Sequence, residues 1–151
     1  MARIINIKTP KGIIKIGPGY PAFIVAEMSS NHEQNFEKAV KIIKAAAKAG
    51  ANAIKFQTYK PDTITIDSNK KWFWVGGARN PKIWKGQTFF QLYEKSYMPW
   101  KWQARLKKIA EKLGLVFFST PFDETAVDFL EKLDVPCYKI AAYESLDTSL
   151  L

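Results

Sequence analysis

The chain has 151 residues, 47% of them hydrophobic and 25% charged, with ten Phe and five Trp. That is enough apolar material for one packed domain and excludes a disordered chain, while the net charge of +9 suits an anionic partner without naming one. A single cysteine, Cys137, excludes an intramolecular disulfide, and no Cys/His group has the spacing of a structural zinc site.

The N-terminus, MARIINIKTPKGIIKIG, lacks the unbroken apolar core of a signal peptide. No run reaches the roughly 18 residues that span a bilayer, so a soluble cytoplasmic chain with no membrane partner is expected. Gly12–Gly17 reads as one arm of a short β-ribbon, and Pro18-Gly19-Tyr20-Pro21 is turn chemistry. Residues 1–20 thus form a ribbon and a turn leading into a domain that occupies 21–151.

Ala22–Ala26 is a continuous apolar run ending on Glu27, the pattern of a strand buried on both faces of a parallel sheet. A helix follows, capped by Asn35, with Phe36, Val40, Ile43 and Ala47 at helical spacing and Gly50 as its stop. Ala51–Gln57 is the second strand. An aromatic stretch, 58–98, carries no clear periodicity. From Pro99 a helix carries Trp102, Leu106, Ile109 and Leu113 on one stripe and ends at Gly114. Leu115–Thr120 is a third strand, Asp123 caps a helix whose Ala126, Leu130 and Leu133 face inward, and Pro136–Ala142 is a fourth strand.

This alternation predicts an α/β fold with a parallel sheet and right-handed crossovers, either an open doubly wound sheet or a barrel. The first strand–helix turn, Glu27-Met28-Ser29-Ser30-Asn31-His32, holds no glycine to admit a pyrophosphate, which speaks against a dinucleotide-binding sheet. A (β/α)8 TIM barrel needs eight strands and about 250 residues. About four strands make this the N-terminal half of one.

In such folds the chemistry sits at the carboxyl ends of the strands. Read in order, those ends deliver Glu27, Lys55 and Gln57, Ser119 and Thr120, then Lys139 and Glu144. Lys55 and Gln57 share a face while Phe56 points the other way. Two lumen lysines with a threonine hydroxyl between them would receive a phosphate or carboxylate; alternatively the lysines are balanced by Glu27 and Glu144 with no ligand. His32 reads as a loop residue bonding the turn after the first strand, and Cys137 as a small core hydrophobe. Trp100 and Trp102 pack the second helix. Trp72, Trp74 and Trp84 either cover the strand ends as a lid or simply pack.

The segments FIVAEMSSNH (23–32), GANAIKFQTY (50–59), FFSTPFD (117–123) and YKIAAYE (138–144) resemble, in order and spacing, the sialic acid synthase family. WKGQTFFQLYEKSYMPWKW (84–102) is similar to its pseudaminic acid synthase branch. The resemblance implies condensation of phosphoenolpyruvate with an N-acetylated amino-sugar to a nonulosonic acid, with C–O cleavage of the phosphoenolpyruvate. It implies that Lys55, Thr120 and Lys139 contact phosphoenolpyruvate, that Gln57 and Glu144 line the same pocket, and that Glu27 faces the sugar and the attacking water. It also implies a divalent metal, Mn or Mg, that polarises the sugar aldehyde, and a homodimer for the full-length family.

Two departures accompany it. Ala142 stands where the family usually places a serine. The metal-binding histidines and the antifreeze-like domain belong to later parts of the family's chain, so no metal ligand is expected among these residues, and the chain alone is expected to be inactive or self-associating. A related synthase acting on a sugar phosphate is the nearest alternative. A non-catalytic basic module for nucleic acid is a second, opposed by lysines spread at solvating spacing without a recognition helix, so no nucleic-acid partner is expected.

Overall fold

A computed structural model describes residues 3–9, 11–77 and 80–151. Strands β1 (Ile5–Thr9) and β2 (Gly12–Ile16) pair antiparallel as the expected ribbon, and the Tyr20 N–H closes the following turn on the Gly17 carbonyl at 3.1 Å. Strands β3 (Val25–Glu27), β4 (Ala53–Thr58) and β5 (Val116–Pro121) form a parallel sheet in the order β3-β4-β5. Helix α1 (Phe36–Lys48) connects β3 to β4, α4 (Trp100–Lys112) leads into β5, and α5 (Glu124–Lys132) follows it.

Local chemistry sets these helix ends. The Asn35 side chain accepts from the Lys38 N–H at 2.9 Å, satisfying one of the donors a helix start leaves free. Gly50, at φ +84°, takes the left-handed turn that ends α1. Asp123 caps α5 by accepting from the Ala126 N–H at 3.0 Å. The buried face of α4 is Gln103, Leu106 and Ala110; Trp102 and Ile109 pack at its side, and Leu113 is exposed because it lies at the C-cap, past the last full turn.

The stretch between β4 and α4 resolves into short pieces. These are a single turn α2 (Pro61–Ile64), 3-10 turns at Lys71–Phe73 and Lys82–Trp84, and helix α3 (Phe89–Ser96). Thr88 and Gln91 form a reciprocal capping box at the start of α3.

The fourth strand does not form as expected. Pro136–Ala142 contributes one parallel bridge, Tyr138 to Ser119, with the Lys139 N–H donating to the Ser119 carbonyl at 3.1 Å. The segment is supported from the β5 side alone, and Lys139, Ile140 and Ala142 are exposed. Ile24 is also exposed, although the apolar run suggested burial on both faces, because β3 is the edge strand.

Two apolar clusters lie on opposite faces of the sheet. On the helix side, Ile54, Phe56 and Phe117 pack with Val40 and Ile43 of α1 and Leu106 of α4; Phe56 meets Phe117 edge-to-face at 4.7 Å. On the inner face, Ala53, Val116 and Phe118 pack with Ile7 of the ribbon, and Cys137 joins them as a small hydrophobe whose thiol pKa is raised by burial. The ribbon therefore covers the amino ends of the strands and leaves their carboxyl ends open.

The helix-side layer also holds polar groups. Thr58 Oγ1 donates to Gln103 Oε1 at 3.0 Å and lies 2.7 Å from Ser119 Oγ. His32 is fully buried beside Trp102, and its Nδ1 accepts from the Gln34 N–H at 3.0 Å, so it serves the turn after β3 as anticipated. Burial, with the nearby Lys38 charge, lowers its pKa below 6.5. The unfolded chain takes up that proton near pH 6.5 while the folded chain resists it. Stability to denaturant should thus be complete above about pH 6.5 and fall as the pH drops below it. His32→Gln should flatten that slope; a slope unchanged in a folded variant would remove His32 as its cause.

Candidate active site at the strand ends

The period of two along β4 divides its side chains between the two faces. Ile54, Phe56 and Thr58 go to the helices; Ala53, Lys55 and Gln57 go inward. The parallel register sets Glu27 beside Lys55, Lys55 beside Phe118, and Gln57 beside Thr120. Glu27, Lys55, Gln57 and Thr120 thus share one face at the open end of the sheet, as the sequence pattern suggested. Ser119 does not join them, because its hydroxyl is taken by Thr58 on the helix side.

Lys55 is buried, and its Nζ lies 3.3 Å from Glu27 Oε1, whose side chain is 59% exposed. A buried ammonium is costly without a counter-charge, and Glu27 supplies one from the adjacent strand. Thr120 is 2% exposed, and its Oγ1 has no hydrogen-bond partner among the described residues. Lys139 is exposed. Cys137 packs on the inner cluster and the Tyr138 hydroxyl reaches out to Glu131 of α5. Glu144 opens a 3-10 turn, Glu144–Leu146. Burial and then the Glu144 charge raise the Tyr93 pKa, so this carboxylate acts on α3 from across the site.

Above Gln57 lies a cavity of about 340 Å³, lined by Ser30, Tyr59 and Phe122 from the strand ends, Phe89 and Tyr93 from α3, and Trp84 from the loop before it. Tyr59 packs edge-to-face on Tyr93 at 5.6 Å and on Phe122 at 5.5 Å, with its hydroxyl 3.1 Å from Ser96 Oγ. Burial raises its pKa. Tyr59, Phe89, Tyr93 and Phe122 were not singled out in the sequence, whereas Trp84 was. The signal for Tyr59 was there, since it continues the inward alternation Lys55, Gln57, Tyr59. Of the three tryptophans, Trp84 lines the cavity, the Trp74 indole N–H donates to the Asn69 carbonyl at 3.0 Å, and Trp72 is 71% exposed. Trp100 and Trp102 pack against Phe129 and Phe36.

Among the described residues, no three or more His, Cys, Asp or Glu side chains converge to hold a metal ion. The residues present do not fit a divalent-metal centre. Among the described residues, no helix is long and apolar enough to cross a membrane.

Comparison with known proteins places this geometry. The chain is 41% identical over 129 residues to a pseudaminic acid synthase of Campylobacter jejuni, covering 85% of this chain and 36% of that protein. It is 38% identical over 131 residues to a pseudaminic acid synthase of Helicobacter pylori, covering 87% and 37%. In three dimensions it matches the N-acetylneuraminic acid (sialic acid) synthetase of Leptospira borgpetersenii, solved in complex with citrate, at a TM-score of 0.79 and 30% identity, over 99% of this chain and 45% of that one. The chain spans little more than a third of the length of these curated relatives. Its three parallel strands, helices and ribbon are the α/β architecture of a TIM-barrel synthase domain, without a closed barrel among the described residues. The NeuB family model matches residues 42–151, and with these likenesses the chain belongs to the NeuB family, in company with pseudaminic and sialic acid synthases.

Proposed function

We propose that these residues form the phosphoenolpyruvate side of a nonulosonic acid synthase. The observation that carries the reading is Thr120, on the same face as buried Lys55, whose buried hydroxyl has no partner among the described residues. An unpaired buried hydroxyl beside an ammonium is a receptor for an anionic oxygen. In this reading Lys55, Thr120 and Lys139 hold the carboxylate and phosphate of phosphoenolpyruvate, and Gln57 and Glu144 line the pocket.

The chemistry then follows from placement. C3 of phosphoenolpyruvate attacks the aldehyde carbon of an open-chain N-acetylated amino-sugar, forming the new C–C bond and leaving the aldehyde oxygen as an alkoxide. Water adds to C2 and gives one proton to Glu27, which passes it to that alkoxide. The C2–O bond to the phosphorus-bearing oxygen then breaks, and the proton of the new C2 hydroxyl leaves with inorganic phosphate, giving the 2-keto acid. The Glu27–Lys55 pair fits this sequence, because an arriving anion draws Lys55 from Glu27 and frees that carboxylate to accept a proton. The resemblance assigns a Mn or Mg ion to the aldehyde; no step is given to it through these residues. It also assigns a homodimer, and the cytoplasmic location expected from the N-terminal sequence fits this reading.

In the full-length protein, phosphate release from phosphoenolpyruvate should require both metal and amino-sugar, and Lys55→Ala should slow it by about 100- to 1000-fold. Turnover within a few-fold of the parent would sink the role given to Lys55. The 151-residue chain alone should not turn over. The outer edge of β3 pairs with no strand among the described residues, so this chain should also self-associate. Gel filtration that gives a monodisperse monomer would refute that expectation.

A further inference from the structure

Thr58, Ser119 and Gln103 are polar side chains in an otherwise apolar layer, and all three are fully buried. The Thr58 hydroxyl has one proton, which goes to Gln103 Oε1 at 3.0 Å, so Ser119, at 2.7 Å, is the donor to Thr58. The chain from Ser119 through Thr58 to Gln103 ties the end of β5 to β4, and both to α4. Gln103 Nε2 has no partner among the described residues, and a buried amide satisfied only in part is costly. An apolar side chain there would avoid that cost. The proposed chemistry uses none of the three.

Beneath the site, the trio meets Thr120. One planar peptide group joins Ser119 to Thr120, and their side chains leave on opposite faces of the sheet. The Thr120 hydroxyl has no partner among the described residues, so the backbone and a stiff χ1 alone aim it. That backbone is weakly held on one side. Beyond the bridge to Tyr138, the Lys139 N–H donates to the Ser119 carbonyl; the next ladder donor would be residue 121, a proline without an N–H. We propose that Ser119, Thr58 and Gln103 are positioning residues, fixing the end of β5 so that Thr120 Oγ1 points at the bound anion. The identity of that anion, phosphoenolpyruvate, rests on the synthase reading; the three residues that aim its receptor add to it.

Titration of the full-length protein with phosphoenolpyruvate and with inorganic phosphate, followed by phosphorus NMR, tests it. Thr58→Val keeps the shape and removes the hydroxyl, and should weaken binding of both anions about fivefold or more. Thr58→Ser keeps the hydroxyl and should stay within about twofold of the parent. In a Thr120→Ala background, Thr58→Val should add less than about twofold, because the group it positions is gone. A merely structural role would cost the same with or without the Thr120 hydroxyl. If Thr58→Val does not fold, Ser119→Ala, which leaves the Thr58–Gln103 bond in place, carries the same expectations. Parent-like binding by the folded variant, or an equal loss in the Thr120→Ala background, would overturn the proposal. A parent that binds inorganic phosphate but not phosphoenolpyruvate would sink the synthase reading, and the same variants then decide the positioning role on phosphate. A parent that binds neither anion overturns both.

Discussion

An ammonium group does not stay buried in a sheet without a counter-charge, and the counter-charge for Lys55 comes from Glu27 on the neighbouring strand. That pairing is available because β3 and β4 run parallel and in register, with Glu27 beside Lys55. The apolar residues one step deeper, Ala53 and Val116, are covered by the ribbon through Ile7. The inner face is thereby graded, dry and aliphatic at the amino ends of the strands and polar at the carboxyl ends. Everything that the site offers, from the free Thr120 hydroxyl to the cavity beside Gln57, lies on the polar side of that gradient.

Much of this was legible in the sequence because it depends on short-range chemistry. Asn35, Gly50 and Asp123 fix helix ends through bonds to residues at most a few positions away. The inward set Lys55 and Gln57 follows from strand alternation alone. The same rule, applied to β5, would have separated Ser119 from Thr120, since adjacent strand residues cannot share a face. What the sequence could not supply was the partner of Ser119, because Thr58 reaches it from a distant position.

The parts that were not legible depend on what surrounds them. Pro136–Ala142 has strand-like residues, but a strand is made by its neighbours, and one bridge to Ser119 is all that β5 provides. The aromatic stretch between β4 and α4 hid α3 because none of its rings is fully buried, so no apolar stripe sets a helical period apart from the rings around it. The Thr88 and Gln91 capping box was its one local signature. The cavity wall was hidden for a related reason. Tyr59, Phe122 and the Phe89–Tyr93 pair of α3 are widely separated in sequence and become one surface only when α3 lies across the strand ends.

The hydrogen-bonded trio of Thr58, Ser119 and Gln103 has a consequence for how the chain finds its pairing. A sheet that slips by one residue turns every side chain to the opposite face. In this sheet a slip of β4 would press Lys55 and Gln57 into the layer of Ile43 and Leu106, and would break the buried hydrogen bonds that Thr58 makes to Gln103 and Ser119. Wrong alignments are therefore penalised on both faces at once. The polar residues hidden beneath the helices act as a proofreading device for the alignment that keeps Lys55 and Gln57 on the inner face.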